Sequence, residues 1–157
     1  MEQINRVLDQ DGNEIVAAYK KVRGLVVYRQ TDNLLYICGH GPEDQKTGEA
    51  FYRGRIGEGG DLTFEEGYEA AKQCAIIHIA SLRDYLGDVD KVKKIVSVFG
   101  LVNCAEGFDD IEGIMDGFSD TIAEVFQDRG YHARTVMGTR NLPNGNIPVE
   151  IEMVVEI

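Results

Sequence analysis

The feature that most constrains the fold is a long amphipathic helix predicted from Thr63 to Leu86. Thr63 and Glu66 have the spacing of a capping box, in which each side chain satisfies a free backbone amide at the start of a helix. Gly87 is expected to end the helix. Between the caps, apolar residues recur every three or four positions, as on a buried helix face. They are Phe64, Tyr68, Ala71, Ala75, His78, Leu82 and Leu86. Within that face, His78 is predicted to be a packed core imidazole rather than a ligand.

The segments before this helix predict a hairpin. Residues 25–28 and 34–38 are apolar and β-prone, and the polar turn of residues 31–33 separates them. Upstream, residues 2–10 are predicted to form a short helix.

The segments after the long helix predict a strand, a second helix and two further strands, in that order. Residues 92–103 are rich in Val, Ile and Phe without clean alternation, which is typical of a strand buried on both faces. A second amphipathic helix is predicted over residues 111–129. Residues 132–141 and 147–157 are predicted strands, and the Asn-Gly pair between them is typical of a hairpin turn.

This order predicts an α+β fold, with a mixed sheet covered on one face by two helices. A chain of 157 residues suits a single domain, residues 1–157, in which residues 1–20 form an N-terminal extension. Because the apolar runs are short and the first residues are not arranged like a signal peptide, we expect a soluble, cytoplasmic protein without a membrane partner.

Charge and motif content exclude several function classes. The net charge is −11, and eight carboxylates with no cation lie between Glu106 and Asp128. We therefore do not expect a nucleic-acid partner, since nucleic-acid binding depends on Lys and Arg. The three cysteines and three histidines are scattered, which disfavours a disulfide framework and a metal site. No phosphate-binding glycine motif is present.

Four segments, in this order and spacing, resemble the Rid family (also called YjgF, reactive intermediate deaminase or endoribonuclease L-PSP-like), in particular its longer bacterial branch. They are N-L-L-Y-I-C-G-H at 33–40, T-F-E-E-G-Y-E-A-A at 63–71, the segment 92–108, and H-A-R-T-V-M-G at 132–138 with the closing V-E-I-E. The resemblance covers residues 20–157. It implies the chorismate-mutase-like fold and a homotrimer around a central barrel, with ligand clefts between subunits.

The resemblance also implies a site. Arg134 matches the family arginine that pairs with a substrate carboxylate, and Glu150 matches the glutamate that holds the attacking water. The step between them is one residue longer than in relatives. Gly39 matches the region whose backbone amides face the ligand, and Asp116 falls, with Ser119, near a polar position that touches it.

The implied activity is a cofactor-free deaminase, without a metal, that hydrolyses small 2-imino or enamine acids to 2-oxo acids and ammonia. The residue types suit that chemistry, because a guanidinium grips a carboxylate with two parallel bonds and a carboxylate can deprotonate water. Two departures weaken the catalytic prediction: Leu25 stands where many relatives carry a tyrosine, and Val136 where they carry a small polar residue or cysteine. The alternative is a non-catalytic binding protein for small carboxylate metabolites; a ribonuclease is third.

Overall fold

A computed structural model describes residues 26–44 and 46–157. The predicted helix at 2–10, the extension at 1–20 and Leu25 lie outside the described residues. Within these residues the strands are β1 Tyr28–Thr31, β2 Leu34–His40, β3 Lys94–Asn103, β4 Ala133–Thr139 and β5 Val149–Glu156. They form one mixed sheet in the order β1-β2-β5-β3-β4. All neighbouring strands are antiparallel except β3 and β4, which are parallel.

Two helices pack on one face of this sheet, as predicted. They are α1 Phe64–Leu86 and α2 Ile111–Phe126, and short 3-10 turns follow them at Val89–Lys91 and Gln127–Gly130. The predicted capping box of α1 is present: Thr63 N donates to Glu66 Oε2 at 2.8 Å, and Glu66 N donates to Thr63 Oγ1 at 3.2 Å. Gly87 ends α1 with a φ of 75°. In the described residues no helix is long and apolar enough to cross a membrane.

The core lies between the helices and the sheet. His78 is fully buried in it, so the prediction of a core imidazole is confirmed. Its ring packs edge-on against His40 at 4.9 Å and Phe118 at 5.2 Å. The largest side chains without exposed surface include Phe118, Leu35, Ile56, Leu82, Ile114, Ile122 and Ile151.

The predicted hairpin between the last two strands is wrong. β3 lies between β4 and β5, and β4 runs parallel to β3 because α2 carries the chain back to the starting edge of the sheet. The Asn-Gly signal nevertheless marks an unusual backbone: Asn144 and Gly145, in the short helical turn Pro143–Asn146, have φ values of 50° and 75°. That turn lies in the connection between β4 and β5, which are not neighbouring strands because β3 lies between them.

Within one chain β3 is buried on one face only, contrary to the prediction. Its residues alternate between buried and half-buried positions on the two sides of the sheet. We call the side opposite α1 and α2 the open face. It carries apolar side chains too, which is why the sequence of β3 lacks alternation. They are Tyr36, Phe99, Leu101, Met137 and Val154, of which Tyr36 and Met137 are 46% and 53% exposed.

Candidate functional site

Arg134 lies on β4 and its side chain points toward α2. The backbone of Arg134 pairs with the buried Val98 of β3, which places it on the helix side of the sheet. Its Nη1 donates to Asp116 Oδ1 at 2.8 Å and to Ser119 Oγ at 2.9 Å, and its Nη2 donates to the Glu112 carbonyl at 3.4 Å. Asp116 and Ser119 are three residues apart on α2 and share a face of that helix. The structure therefore brings Arg134 and Asp116 together.

Ser119 connects Arg134 to a histidine that the sequence did not single out. Ser119 Oγ lies 3.1 Å from His132 Nε2, and His132 Nδ1 lies 2.7 Å from the Gly130 carbonyl. Burial lowers the pKa of His132, and the positive charge of Arg134 lowers it further. His132 directly precedes β4 and stands two residues before Arg134. The spacing of the H-A-R motif therefore placed the two side chains near each other, whereas the contact with Ser119 depends on the packing of α2.

Gly39 and Glu150 form a second cluster, on the open face. Gly39 lies in β2 where the pairing with β5 is irregular. A Cβ added at Gly39 would lie 2.6 Å from Glu150 Oε1, so the missing side chain leaves room for the carboxylate. Burial raises the pKa of Glu150, and repulsion from Glu152 raises it further. Glu150 is thus a half-buried carboxyl group adapted to accept a proton nearer to neutral pH.

A cleft of about 420 Å³ also lies on the open face. All five strands contribute to it. Arg134 is among its lining residues, and Glu150 is not. Side chains that line it include Tyr36, Cys38, Phe99, Thr135 and Glu152. Burial, followed by repulsion from Glu150 and Glu152, raises the pKa of the Cys38 thiol, so this thiol is a poor nucleophile.

Arg134 and Glu150 do not meet within one chain. Glu150 pairs with Leu101 of β3, whereas Arg134 pairs with Val98, and β3 separates their two strands. The strands β4 and β5 are therefore about 10 Å apart in the hydrogen-bonding direction. The two side chains also leave opposite faces of the sheet. In the described part of the chain, no group of three or more His, Cys, Asp or Glu residues is placed to hold a metal ion.

Comparisons with known proteins agree with this fold. The family model described as "YjgF/chorismate_mutase-like, putative endoribonuclease" matches residues 13–153. Protein TCP17 of Trypanosoma cruzi is 32% identical over 151 residues, covering 96% of this chain and 91% of TCP17.

Several solved structures share this fold. Protein Atu1372 of Agrobacterium tumefaciens is 30% identical, with a TM-score of 0.80 over 88% of this chain and 87% of that one. Two further structures, at lower identity, show the fold alone. A protein of Shewanella oneidensis with an endoribonuclease description is 24% identical, with a TM-score of 0.82 over 94% of each chain. The Rid-family protein YyfA of Yersinia pestis is 19% identical, with a TM-score of 0.62 over 90% of this chain and 94% of that one. With the family model matching nearly the whole chain, this protein belongs to the YjgF/Rid family.

Proposed function

We propose that this chain is a cofactor-free deaminase that hydrolyses small 2-imino acids to 2-oxo acids and ammonia. The observation that carries the proposal is the combination of a half-buried guanidinium on β4 with a half-buried carboxyl group, of raised pKa, against Gly39. A substrate needs both: an anchor for its carboxylate and a base for water.

In the proposed reaction, Arg134 binds the substrate carboxylate through the hydrogens that Asp116 and Ser119 leave free. Glu150 accepts a proton from water, and the water oxygen attacks C2 of the imine. Glu150 passes that proton to the former imine nitrogen, which gives a tetrahedral carbinolamine. The carbinolamine hydroxyl then loses its proton to Glu150, the nitrogen takes that proton up, the C–N bond breaks, and ammonia leaves. The water oxygen remains as the carbonyl oxygen of the 2-oxo acid, so the reaction consumes one water and no cofactor.

The proposed site needs two copies of the chain, since Arg134 and Glu150 leave opposite faces of the sheet. In a homotrimer, the β4 edge of one copy would meet the β2–β5 region of the next, and the apolar open faces would be buried around a central barrel. The exposure of Tyr36 and Met137 supports such burial, because large apolar side chains grouped on one face mark an interaction surface.

The decisive experiment measures the loss of 2-iminobutyrate, generated in situ by an amino-acid oxidase, in the presence of the purified protein. Loss above the spontaneous rate, abolished in Arg134→Ala, supports the deaminase. A rate equal to background, with a folded trimer in the cuvette, rejects catalysis.

The second candidate is a binding protein for small carboxylate metabolites. It is favoured by the ion pair with Asp116, which holds Arg134 in place without any contribution from Glu150. Saturable binding of 2-oxobutyrate without turnover of the imine would select it. Ribonuclease activity, suggested by the endoribonuclease descriptions of the family and of a relative, ranks third, because a net charge of −11 opposes RNA binding. RNA cleavage that persists through further purification would support it.

A further inference from the structure

The hydrogen bonds between Gly130, His132, Ser119 and Arg134 have a fixed direction. A carbonyl oxygen only accepts, so the 2.7 Å contact with the Gly130 carbonyl places a proton on His132 Nδ1. In the neutral ring Nε2 is then an acceptor, and the Ser119 hydroxyl donates to it across 3.1 Å. The Ser119 oxygen in turn accepts from Arg134 Nη1 at 2.9 Å. While His132 is neutral, the hydroxyl proton of Ser119 therefore lies in the hydrogen bond to the ring and cannot be donated to a ligand.

Protonation of His132 would reverse the direction of the hydrogen bond between Ser119 and His132. The imidazolium donates from both nitrogens, so Nε2 would donate to Ser119 Oγ. A hydroxyl oxygen has two lone pairs, which suffice for Arg134 and His132 together. The Ser119 proton would then be free to point toward a ligand beside Arg134.

The charges around Arg134 also favour protonation of His132 when a carboxylate binds. Arg134 and Asp116 form an ion pair at 2.8 Å, so the empty cluster is neutral when His132 is neutral. A ligand carboxylate on Arg134 would leave one negative charge in excess, and a proton on His132 would cancel it. Without a ligand, the positive charge of Arg134 opposes protonation of His132 and lowers its pKa. In the described part of the chain the ring also contacts the Gly130 carbonyl, the Ser119 hydroxyl of α2 and the Phe118 ring, which are uncharged, and the buried His78 of α1 lies beyond Phe118.

We infer that His132 and Ser119 are positioning residues that couple carboxylate binding at Arg134 to the uptake of one proton by His132. This inference rests on the proposed function, because it needs a carboxylate at Arg134. Its ligand class is small monocarboxylates, whose own charge is constant near neutral pH. The affinity for such anions rises as the pH falls through the range in which His132 takes up its proton.

Calorimetric titration with 2-oxobutyrate between pH 5 and 8, in pairs of buffers with different ionisation enthalpies, tests the coupling. The parent protein should take up protons on binding, most strongly at pH values between the pKa of His132 in the free protein and its pKa in the liganded protein. In that range its affinity should rise as the pH falls, by up to about tenfold per pH unit. In His132→Gln, whose side chain does not titrate, both the proton uptake and the pH dependence should disappear. Ser119→Ala should weaken binding mainly at low pH, where the freed hydroxyl would donate to the ligand.

Nuclear magnetic resonance gives a second measurement. The chain contains three histidines, and the ring signal that is lost in His132→Gln is assigned to His132. Saturating 2-oxobutyrate should raise the pKa of His132. A pKa unchanged by ligand overturns the inference, as does full proton uptake in His132→Gln.

Arg134→Ala distinguishes a failure of the coupling through His132 from a failure of the proposed function. If binding depends on Arg134 but takes up no proton, the coupling through His132 is wrong and the proposed anchor stands. If 2-oxobutyrate binds equally well without Arg134, or does not bind the parent at all, the proposed function fails and this inference fails with it.

Discussion

Arg134 and Glu150 leave opposite faces of the same sheet, on strands that β3 separates. Arg134 reaches toward α2, whereas Glu150 lies against Gly39 on the open face. Arg134 and Glu150 of one chain therefore cannot contact the same substrate molecule. A reaction that uses both residues has to occur between copies, so activity and assembly should be lost together.

The first prediction concerns that assembly. Met137→Arg places a charge on the open face, where the parent carries a half-exposed apolar side chain, and should convert a trimer into a folded monomer without deaminase activity. Sedimentation velocity at micromolar concentration measures the change. Glu58→Arg, in an exposed loop, is the matched control and should remain a trimer. A monomeric parent protein would refute the proposed architecture.

The second prediction concerns the anchor. Arg134→Ala should weaken 2-oxobutyrate binding about ten- to a hundredfold, because a hydrogen bond to a charged group contributes about 1.5–3 kcal/mol. Arg134→Lys should be nearly as weak, since an ammonium cannot form the bidentate fork. Calorimetry measures both, with Arg140→Ala as the control. Arg140 is 84% exposed and lies 3.8 Å from Glu106.

A different outcome would reassign Arg134. If Arg134→Ala binds 2-oxobutyrate normally but melts far below the parent, Arg134 is a structural residue. Asp116 is half exposed, so the loss of that ion pair alone should cost less than about 1 kcal/mol. A larger loss would have to include the bonds of Arg134 to Ser119 and to the Glu112 carbonyl.

The third prediction concerns the proposed base. Glu150→Gln should lower the deamination rate about 10²- to 10⁴-fold while 2-oxobutyrate still binds. In the parent, the rate should fall on acidification as Glu150 becomes protonated, with a midpoint above the usual glutamate range because burial and Glu152 raise the pKa of Glu150. Glu152→Gln removes the repulsion, so the acid limb should move to lower pH. An acid limb that persists in the residual activity of Glu150→Gln would exclude Glu150 as the titrating group.

The fourth prediction concerns Asn103, which is fully buried at the end of β3. Its Nδ2 donates to the Gly54 carbonyl at 3.2 Å, Asn146 Oδ1 at 2.9 Å and the Ile147 carbonyl at 3.1 Å. Asn103→Leu leaves these acceptors without their donor and should lower the free energy of unfolding by about 1–3 kcal/mol. Asn103→Asp should cost more, because a buried carboxylate would face oxygen atoms.

Urea denaturation at pH 7 measures the two Asn103 variants. Asn141→Leu, an exposed asparagine near the same turn, serves as the control and should leave the midpoint almost unchanged. Equal midpoints for Asn103→Leu and the parent would show that these bonds do not stabilise the fold.

The fifth prediction concerns stability in acid. Burial lowers the pKa of His78 to about 4, whereas the unfolded chain binds that proton near pH 6.5. Between these values the unfolded state holds more protons, so stability falls as the pH falls, by up to about 1.4 kcal/mol per pH unit for this group. His78→Leu should reduce the slope of the free energy of unfolding against pH by the contribution of one proton. This holds whatever the variant does to stability at pH 7.5. A curve of unchanged slope would contradict this reading of His78.

Local patterns in the sequence predicted the helices and strands well, but they did not predict which strands are neighbours in the sheet. The capping box at Thr63 and the end of α1 at Gly87 depend on residues within a few positions, so the sequence contains them directly. The partner of β4 depends on where α2 packs, and an Asn-Gly turn between two strands does not distinguish a hairpin from a crossing. The contact between His132 and Ser119 depends on the same packing of α2 against β4. Roles for Arg134 and Glu150 came from family resemblance, which says nothing about the sheet face of each residue.

The position of β5 also bears on how the molecule forms. It is the last of the five strands in chain order, yet it lies between β2 and β3. Until β5 is synthesised, the β1–β2 hairpin and the β3–α2–β4 unit are two separate sheet fragments, each with an unpaired edge toward the other. Such edges are sites for pairing with foreign chains, and closing the sheet requires contacts between residues more than a hundred positions apart, such as Leu35 and Val155. On the ribosome, the nascent chain therefore cannot complete its sheet gradually, and the late insertion of one strand closes both edges at once.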